Sequence, residues 1–332
     1  MSNIDESIYF DGNRTLTHNC ILNYVIGARG CGKTFWFKKK AIKNFLKDGQ
    51  QFVYVRRYDT ELEGRFRATF FDDVKKYFPD HEITVKGEIA YLDKEPMGFF
   101  MAISKGVTHK GSTFPNVSLI CFDEFIIDNK IYHYMNDEVL HFFNLISTIL
   151  RDRTGNRIFC MSNAVTVSNP YFQQYGIAEL NKEFTKVNDV TLIQYITNEK
   201  FTEHMQNTDI GKIAKGTVYE RYGINNEFLL DDSSFIMKRT PKAYLKYNLY
   251  YMGNYIGVWV DYTVGKIFMS KSHDKSRITY VLTIDDHKPN TMVIKGKSTM
   301  LKELTTNFRM SNVYYENVNI KNICKKIFAL LL

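Results

Sequence analysis

The chain has 332 residues, 44% apolar and 24% charged, which is the balance of an ordinary soluble globular protein with room for two cores. There is no N-terminal signal pattern, and the closing IFALLL is too short to span a bilayer, so a cytosolic chain without a membrane role is expected. The net charge of +8 is segregated: residues 231–332 hold 16 of the 44 basic and 8 of the 36 acidic residues, leaving 28 of each in residues 1–230. A basic final third fits a surface that meets nucleic acid, and dispersed solubilising charge fits it as well. The five cysteines, Cys20, Cys31, Cys121, Cys160 and Cys324, are odd in number and lack metal-ligand spacing, which predicts buried free thiols in a reducing compartment.

Residues 1–19 are polar and read as a loosely held arm, with Ile8, Tyr9 and Phe10 available to pack. An apolar run from Ile21 to Ile26 reads as a buried strand, followed by the turn Gly27, Ala28, Arg29, Gly30, Cys31, Gly32, Lys33, Thr34. Phe37, Ala41, Ile42 and Phe45 then show helical spacing up to Gly49, a helix stop. Strand, G-x-x-x-x-G-K-T turn and helix in that order are the context of a phosphate-binding P-loop. The glycines let backbone N–H groups face a polyphosphate at a helix N-terminus. Lys33 would neutralise the β- and γ-phosphates of ATP, and the Thr34 hydroxyl would take one position on Mg²⁺.

A second strand, Gln51 to Val55, delivers Arg56 and Arg57 at its end, either as nucleotide contacts or as structural ion-pair partners. Residues 59–78 read as helix, and 83–85, 90–92 and 98–103 as short strands. Residues 104–115 form a polar loop by composition. The continuous apolar run from Asn116 to Phe122 ends in Asp123 and Glu124, a buried parallel strand with two carboxylates at its tip. Asp123 would hold Mg²⁺ through water, and Glu124, on the other face by the strand's period of two, would polarise the attacking water. Residues 136–138 would cap a buried helix that ends in Arg151-Asp152-Arg153, where complementing the helix dipole is a sufficient role for the arginines. The next strand, Arg157 to Met161, presents Asn163 beyond its tip as a sensor of the γ-phosphate or the attacking water.

The blocks VIGARGCGKT, QFVYVRRY, FPDHE, PNVSLICFDEF, CMSNAVTVSNPYF and GVWVD, in that order along essentially the whole chain, resemble the DNA-packaging ATPase of small protein-primed podoviruses, the phi29 type. The resemblance implies an α/β P-loop ATPase domain at 1–200 with Glu124 catalytic. It further implies a connector at 201–230 and a basic α+β domain at 231–332 resembling an inactive RNase H-like nuclease. It also implies a homo-oligomeric ring, of five subunits, at the portal protein of an empty prohead in the host cytoplasm and absent from the mature virion. That ring would thread double-stranded DNA inward and rest on a structural RNA. Arg151 falls where the family supplies an arginine to the neighbouring subunit's nucleotide, and Lys110 where a second such cation is expected, with Lys105 nearby as a competitor. Residues 165–198 read as short strands and turns. Strands are expected at 235–238, 244–251, 255–260, 266–269 and 278–282, and helices near 299–309 and 319–330. Asp231, Asp232, Asp261, Asp285 and Asp286 are the carboxylates available to a nuclease. A helicase, a small-molecule kinase and a non-enzymatic nucleotide-gated assembly factor are the competing readings.

Overall fold

Among the described residues, nine strands build the larger of two sheets: β1 (Leu22–Ile26), β2 (Gln51–Arg56), β3 (Ile83–Lys86), β4 (Ile89–Leu92), β5 (Glu95–Ala102), β6 (Val117–Asp123), β7 (Arg157–Ser162), β8 (Phe184–Asn188) and β9 (Thr191–Tyr195). The computed structural model describes residues 6–109, 111–127, 133–180, 182–229, 234–294 and 298–332. Two compact units divide the chain, Met1–Tyr171 with Leu180–Leu230, and Phe172–Glu179 with Asp231–Leu332.

In the first unit the strand order is β3-β4-β5-β2-β6-β7-β1-β9-β8. The six central strands, β5 to β9 in that order, are parallel, and antiparallel hairpins close both edges. All five residues of β1 are buried, which is why the run is apolar without alternation. Parallel strands deliver their carboxyl ends to one edge of the sheet, where α/β proteins hold their ligands. The P-loop helix, Lys33–Asp48, turns Trp36, Phe37, Ala41 and Ile42 to the core and stops at Gly49, whose φ of 67° only glycine takes without strain. Phe37 meets Phe52 and Tyr54 at ring distances of 5.7 and 6.1 Å, and Phe70 and Phe100 extend the cluster. Each such ring contributes about 1.5–3 kcal/mol by burial.

Three expectations are corrected here. The N-terminal arm is packed: Phe10 lies edge-on to Trp36 at 5.5 Å and its N–H donates to the Cys31 carbonyl at 2.8 Å. Residues 59–78 are not one helix but short turns at Asp59–Leu62 and Lys75–Tyr77 around Arg65–Thr69, interrupted by Gly64 at φ 60°. Phe70, Phe71 and Val74 turn into the aromatic core, and that packing outweighs helical continuity. Residues 201–229, expected as a connector, belong to the first unit, with helices Glu199–Gln206 and Asp209–Ala214 capped by Asn198 and Thr208.

The second unit carries β10 (Tyr244–Tyr251), β11 (Asn254–Asp261), β12 (Lys266–Ser270), β13 (Thr279–Val281), β14 (Thr291–Val293) and β15 (Val313–Tyr315), ordered β14-β13-β10-β11-β12-β15. Helices Thr299–Arg309 and Val318–Leu331 fall where expected and share a core with the sheet through Leu304, Ile320, Ile327, Leu249 and Ile267. The stretch 235–238 is not a strand; Ile236 makes a single bridge to Tyr315. All five cysteines are buried and free. Among the described residues, no helix is long and apolar enough to cross a membrane.

Candidate active site

The turn after β1 reverses direction through Gly30 and Gly32, at φ 77° and 90°, and the helix begins at Lys33. A Cβ at Gly27 would lie 2.6 Å from Ile196 Cδ1 and 2.9 Å from Cys31 Sγ, so a side chain there would push the turn outward. Lys33 is buried, and its ammonium donates to the carbonyls of Gly27 and Ala28 at 2.8 and 3.0 Å and to Asn163 Oδ1 at 3.3 Å. Thr34 Oγ1 donates to Asp123 Oδ2 at 3.0 Å across 89 residues. Arg29, Gly30, Cys31, Gly32, Lys33, Thr34, Asp123, Glu124, Ser162 and Asn163 line one cleft of about 330 Å³. The P-loop, the carboxylate tip of β6 and the amide beyond β7 therefore converge.

Glu124 is not placed by the strand's alternation. β6 ends at Asp123, and Glu124 sits in a left-handed turn at φ 58°, strained for a non-glycine residue. Its carboxylate pairs with Arg56, Nη1 to Oε2 at 2.8 Å. Tyr54, absent from the sequence reading, donates its hydroxyl to Asp123 Oδ2 at 2.6 Å. Burial, reinforced by the Asp123 charge, holds the Tyr54 phenol well above its usual pKa, so it remains a donor. The period of two along β2 puts Tyr54 and Arg56 on one face, a signal that could have found it.

Of the two roles open to Arg57, nucleotide contact or structural ion pair, its contacts fit the second. It is buried and donates in two parallel bonds to Glu138, at 2.8 and 2.9 Å, and to the carbonyls of Glu124 and Phe125 at 3.1 and 2.8 Å. Glu138 also accepts from Tyr171 Oη at 2.8 Å, and all three guanidinium nitrogens of Arg57 donate to the fold. Asp137 does not cap the helix Glu138–Leu150 with its side chain but enters it at φ 51°. At the other end, Arg153 donates to the carbonyls of Pro115, Val117 and Ile149, whereas Arg151 is exposed and donates to Ser112 O at 2.9 Å. Lys105 pairs with Asp59, and Lys110 lies outside the described residues.

In the second unit, Asp261 accepts from Thr240 and Thr263, and Asp286 from the Met252 N–H and Thr283. Asp231 and Asp232 lie outside the described residues, and among the described residues no three His, Cys, Asp or Glu side chains gather to hold a metal.

The family model of the podovirus DNA encapsidation protein (Gp16) matches residues 4–331. The chain belongs to this family. The DNA packaging protein of Bacillus phage phi29 is 36% identical over 329 residues, 98% of each chain. The chain is also similar to a chain in the bacteriophage phi29 viral genome packaging motor assembly, at 33% identity and a TM-score of 0.81, covering 98% of this chain and 100% of that one. The crystal structure of the N-terminal domain of the DNA packaging ATPase from phi29 is 40% identical, with a TM-score of 0.55, over 58% of this chain and 99% of that one. Family membership therefore accounts for the P-loop fold of the first unit and its separate C-terminal partner.

Proposed function

We propose that the chain is the ATP-hydrolysing subunit of a motor that drives double-stranded viral DNA into an empty prohead. The observation that carries this reading is the single cleft holding Lys33, Thr34, Asp123, Glu124 and Asn163 in a member of the encapsidation family. The N–H groups of the Gly27–Thr34 turn bind the phosphates, and the Lys33 ammonium exchanges two carbonyls for phosphate oxygens. Asn163, already on Lys33, is placed to report whether the γ-phosphate is present. Glu124 takes the proton of the attacking water as the water oxygen bonds to the γ-phosphorus and the bond to the β,γ-bridging oxygen breaks, releasing ADP and phosphate. Its ion pair to Arg56 must loosen for that, which gives the site a way to stay idle.

The donor set fits Mg²⁺: the Thr34 hydroxyl and Asp123 carboxylate already touch, and such an ion takes most remaining ligands from water and phosphate oxygens. When bound, it supplies charge neutralisation between the β- and γ-phosphates. The family relation supports a homo-oligomeric ring, of five subunits, on the portal protein of the prohead in the host cytoplasm, absent from the mature virion, with a structural RNA as a further partner. We assign catalysis to the P-loop domain and read the basic C-terminal domain as an RNase H-like nuclease that no longer cuts, because Asp261 and Asp286 tie down local turns.

The test measures ATP turnover alone, with double-stranded DNA, and with DNA plus proheads. Stimulation by DNA and proheads together is expected. Turnover indifferent to both points to a small-molecule kinase, stimulation by DNA alone to a helicase, and binding without turnover to an assembly factor.

A further inference from the structure

β2 supplies one partner to each of the two carboxylates at the tip of β6. Tyr54 and Arg56 lie on one face of β2 by the strand's period of two, and Tyr54 reaches Asp123 while Arg56 reaches Glu124. We propose that Tyr54 is a positioning residue for Mg²⁺: its hydroxyl occupies one oxygen of Asp123 and leaves the other to a water of the ion. The proposal rests on the reading of Asp123 as the residue that holds the metal.

A count of hydrogen bonds carries it. A carboxylate has about four lone-pair sites, two on each oxygen. Among the described residues, Asp123 Oδ2 accepts two bonds, from Tyr54 Oη at 2.6 Å and Thr34 Oγ1 at 3.0 Å. Oδ1 accepts one, from the Glu124 N–H at 3.1 Å. With Tyr54 in place, Oδ2 is full and Oδ1 keeps a single site for a water ligand. Without it each oxygen has one site open, and the carboxylate can meet that water in two ways.

Of the three donors, Tyr54 is the one anchored away from the moving parts. Thr34 sits on the turn that meets the phosphates, and Glu124 lies in a strained turn at φ 58° whose ion pair must loosen for catalysis. The Tyr54 ring is 1% exposed, with the rings of Phe70, Phe66 and Phe100 at 4.6, 5.9 and 6.0 Å. Strand pairing sets its height, opposite Cys121 and so two residues short of Asp123. A side chain locked by packing holds its partner in one geometry. Phenylalanine would fill the same apolar space, so packing by itself does not call for the hydroxyl. A buried hydroxyl is costly unless bonded, and this one spends its proton on the metal-holding carboxylate. Partners of this kind orient the groups that bind a metal.

The experiment titrates the full-length protein with Mg²⁺ at fixed ATP, reading bound ATP rather than turnover. Tyr54→Phe should raise the Mg²⁺ concentration for half-maximal binding about tenfold. Its melting temperature should fall by no more than roughly 4 °C. Asp123→Asn should raise the requirement at least as far. Adding Tyr54→Phe to Asp123→Asn should change nothing more, because both act at one carboxylate. Para-aminophenylalanine in place of Tyr54 keeps a donor and should keep the low requirement. Para-methylphenylalanine has tyrosine's shape without a donor and should not; this pair decides the matter if Tyr54→Phe fails to fold. An unchanged requirement in Tyr54→Phe, beside a raised one in Asp123→Asn, overturns the positioning role and leaves Asp123 as the metal-holding residue. Additive effects in the double variant also overturn it, since Tyr54 then acts through general stability. A requirement that Asp123→Asn does not move overturns the reading of Asp123, and this proposal with it.

Discussion

Arg56 and Glu124 are locked in an ion pair, Nη1 to Oε2 at 2.8 Å, with the arginine side chain 11% and the glutamate 51% exposed. The residue proposed to activate water is thus held by a cation from the neighbouring strand, not by the nucleotide turn. Removing Arg56 should therefore change the chemical step and spare substrate binding. Arg56→Leu is expected to alter kcat while the KM for ATP stays within about twofold. A raised KM with kcat intact would instead make Arg56 a phosphate contact.

Lys33 and Glu124 should fail in different ways. Lys33→Ala removes the cation that meets the phosphates and should abolish both ATP binding and turnover. Glu124→Gln keeps the shape and loses the base, so the protein should bind ATP and hold it unhydrolysed. Equilibrium binding beside steady-state turnover separates the two, and near-normal turnover by Glu124→Gln would reject it as the catalytic residue.

Arg57 and Glu138 form a buried pair, 3% and 1% exposed. Breaking one side leaves an uncompensated charge, at about 3–5 kcal/mol. Arg57→Met should lower the melting temperature of the first unit by roughly 10 °C in calorimetry. A melting temperature equal to that of the parent protein would show that the pair contributes nothing to the fold.

Arg151 is exposed at the end of its helix, while Arg153 two residues on is tied to three carbonyls. We assign Arg151 to the nucleotide of a neighbouring subunit, where charge arriving with the neighbour stabilises the transition state. Arg151→Ala and Glu124→Gln should each be inactive alone. Mixed under subunit exchange, some boundaries pair an intact Glu124 site with an intact Arg151, and ATP turnover should partly return. No recovery in rings shown by a tag to be mixed would place Arg151 in its own subunit's chemistry or at the helix dipole.

What the sequence determined by itself is local. Gly30, Gly32 and Gly49 stand where the backbone takes positive φ, and β1 and β6 are apolar because parallel strands are covered on both faces. The helices Thr299–Arg309 and Val318–Leu331 follow from apolar spacing and their capping residues, Ser298 and Asn317. The tertiary structure decided which of two adjacent arginines faces the site. Arg57 finds Glu138 across 81 residues and Arg56 finds Glu124, and no local pattern distinguishes them. Tyr54 reaches Asp123 across 69 residues because β2 and β6 are neighbours in the sheet, a pairing absent from either strand's own sequence. Residues 201–230 read as a connector because the stretch is polar and punctuated by Gly211, Gly216 and Gly223. Only the fold reveals that Phe201, Tyr222 and Asn226 are buried and that Phe201 and Asn226 line a cleft beside the P-loop, since burial depends on what lies opposite.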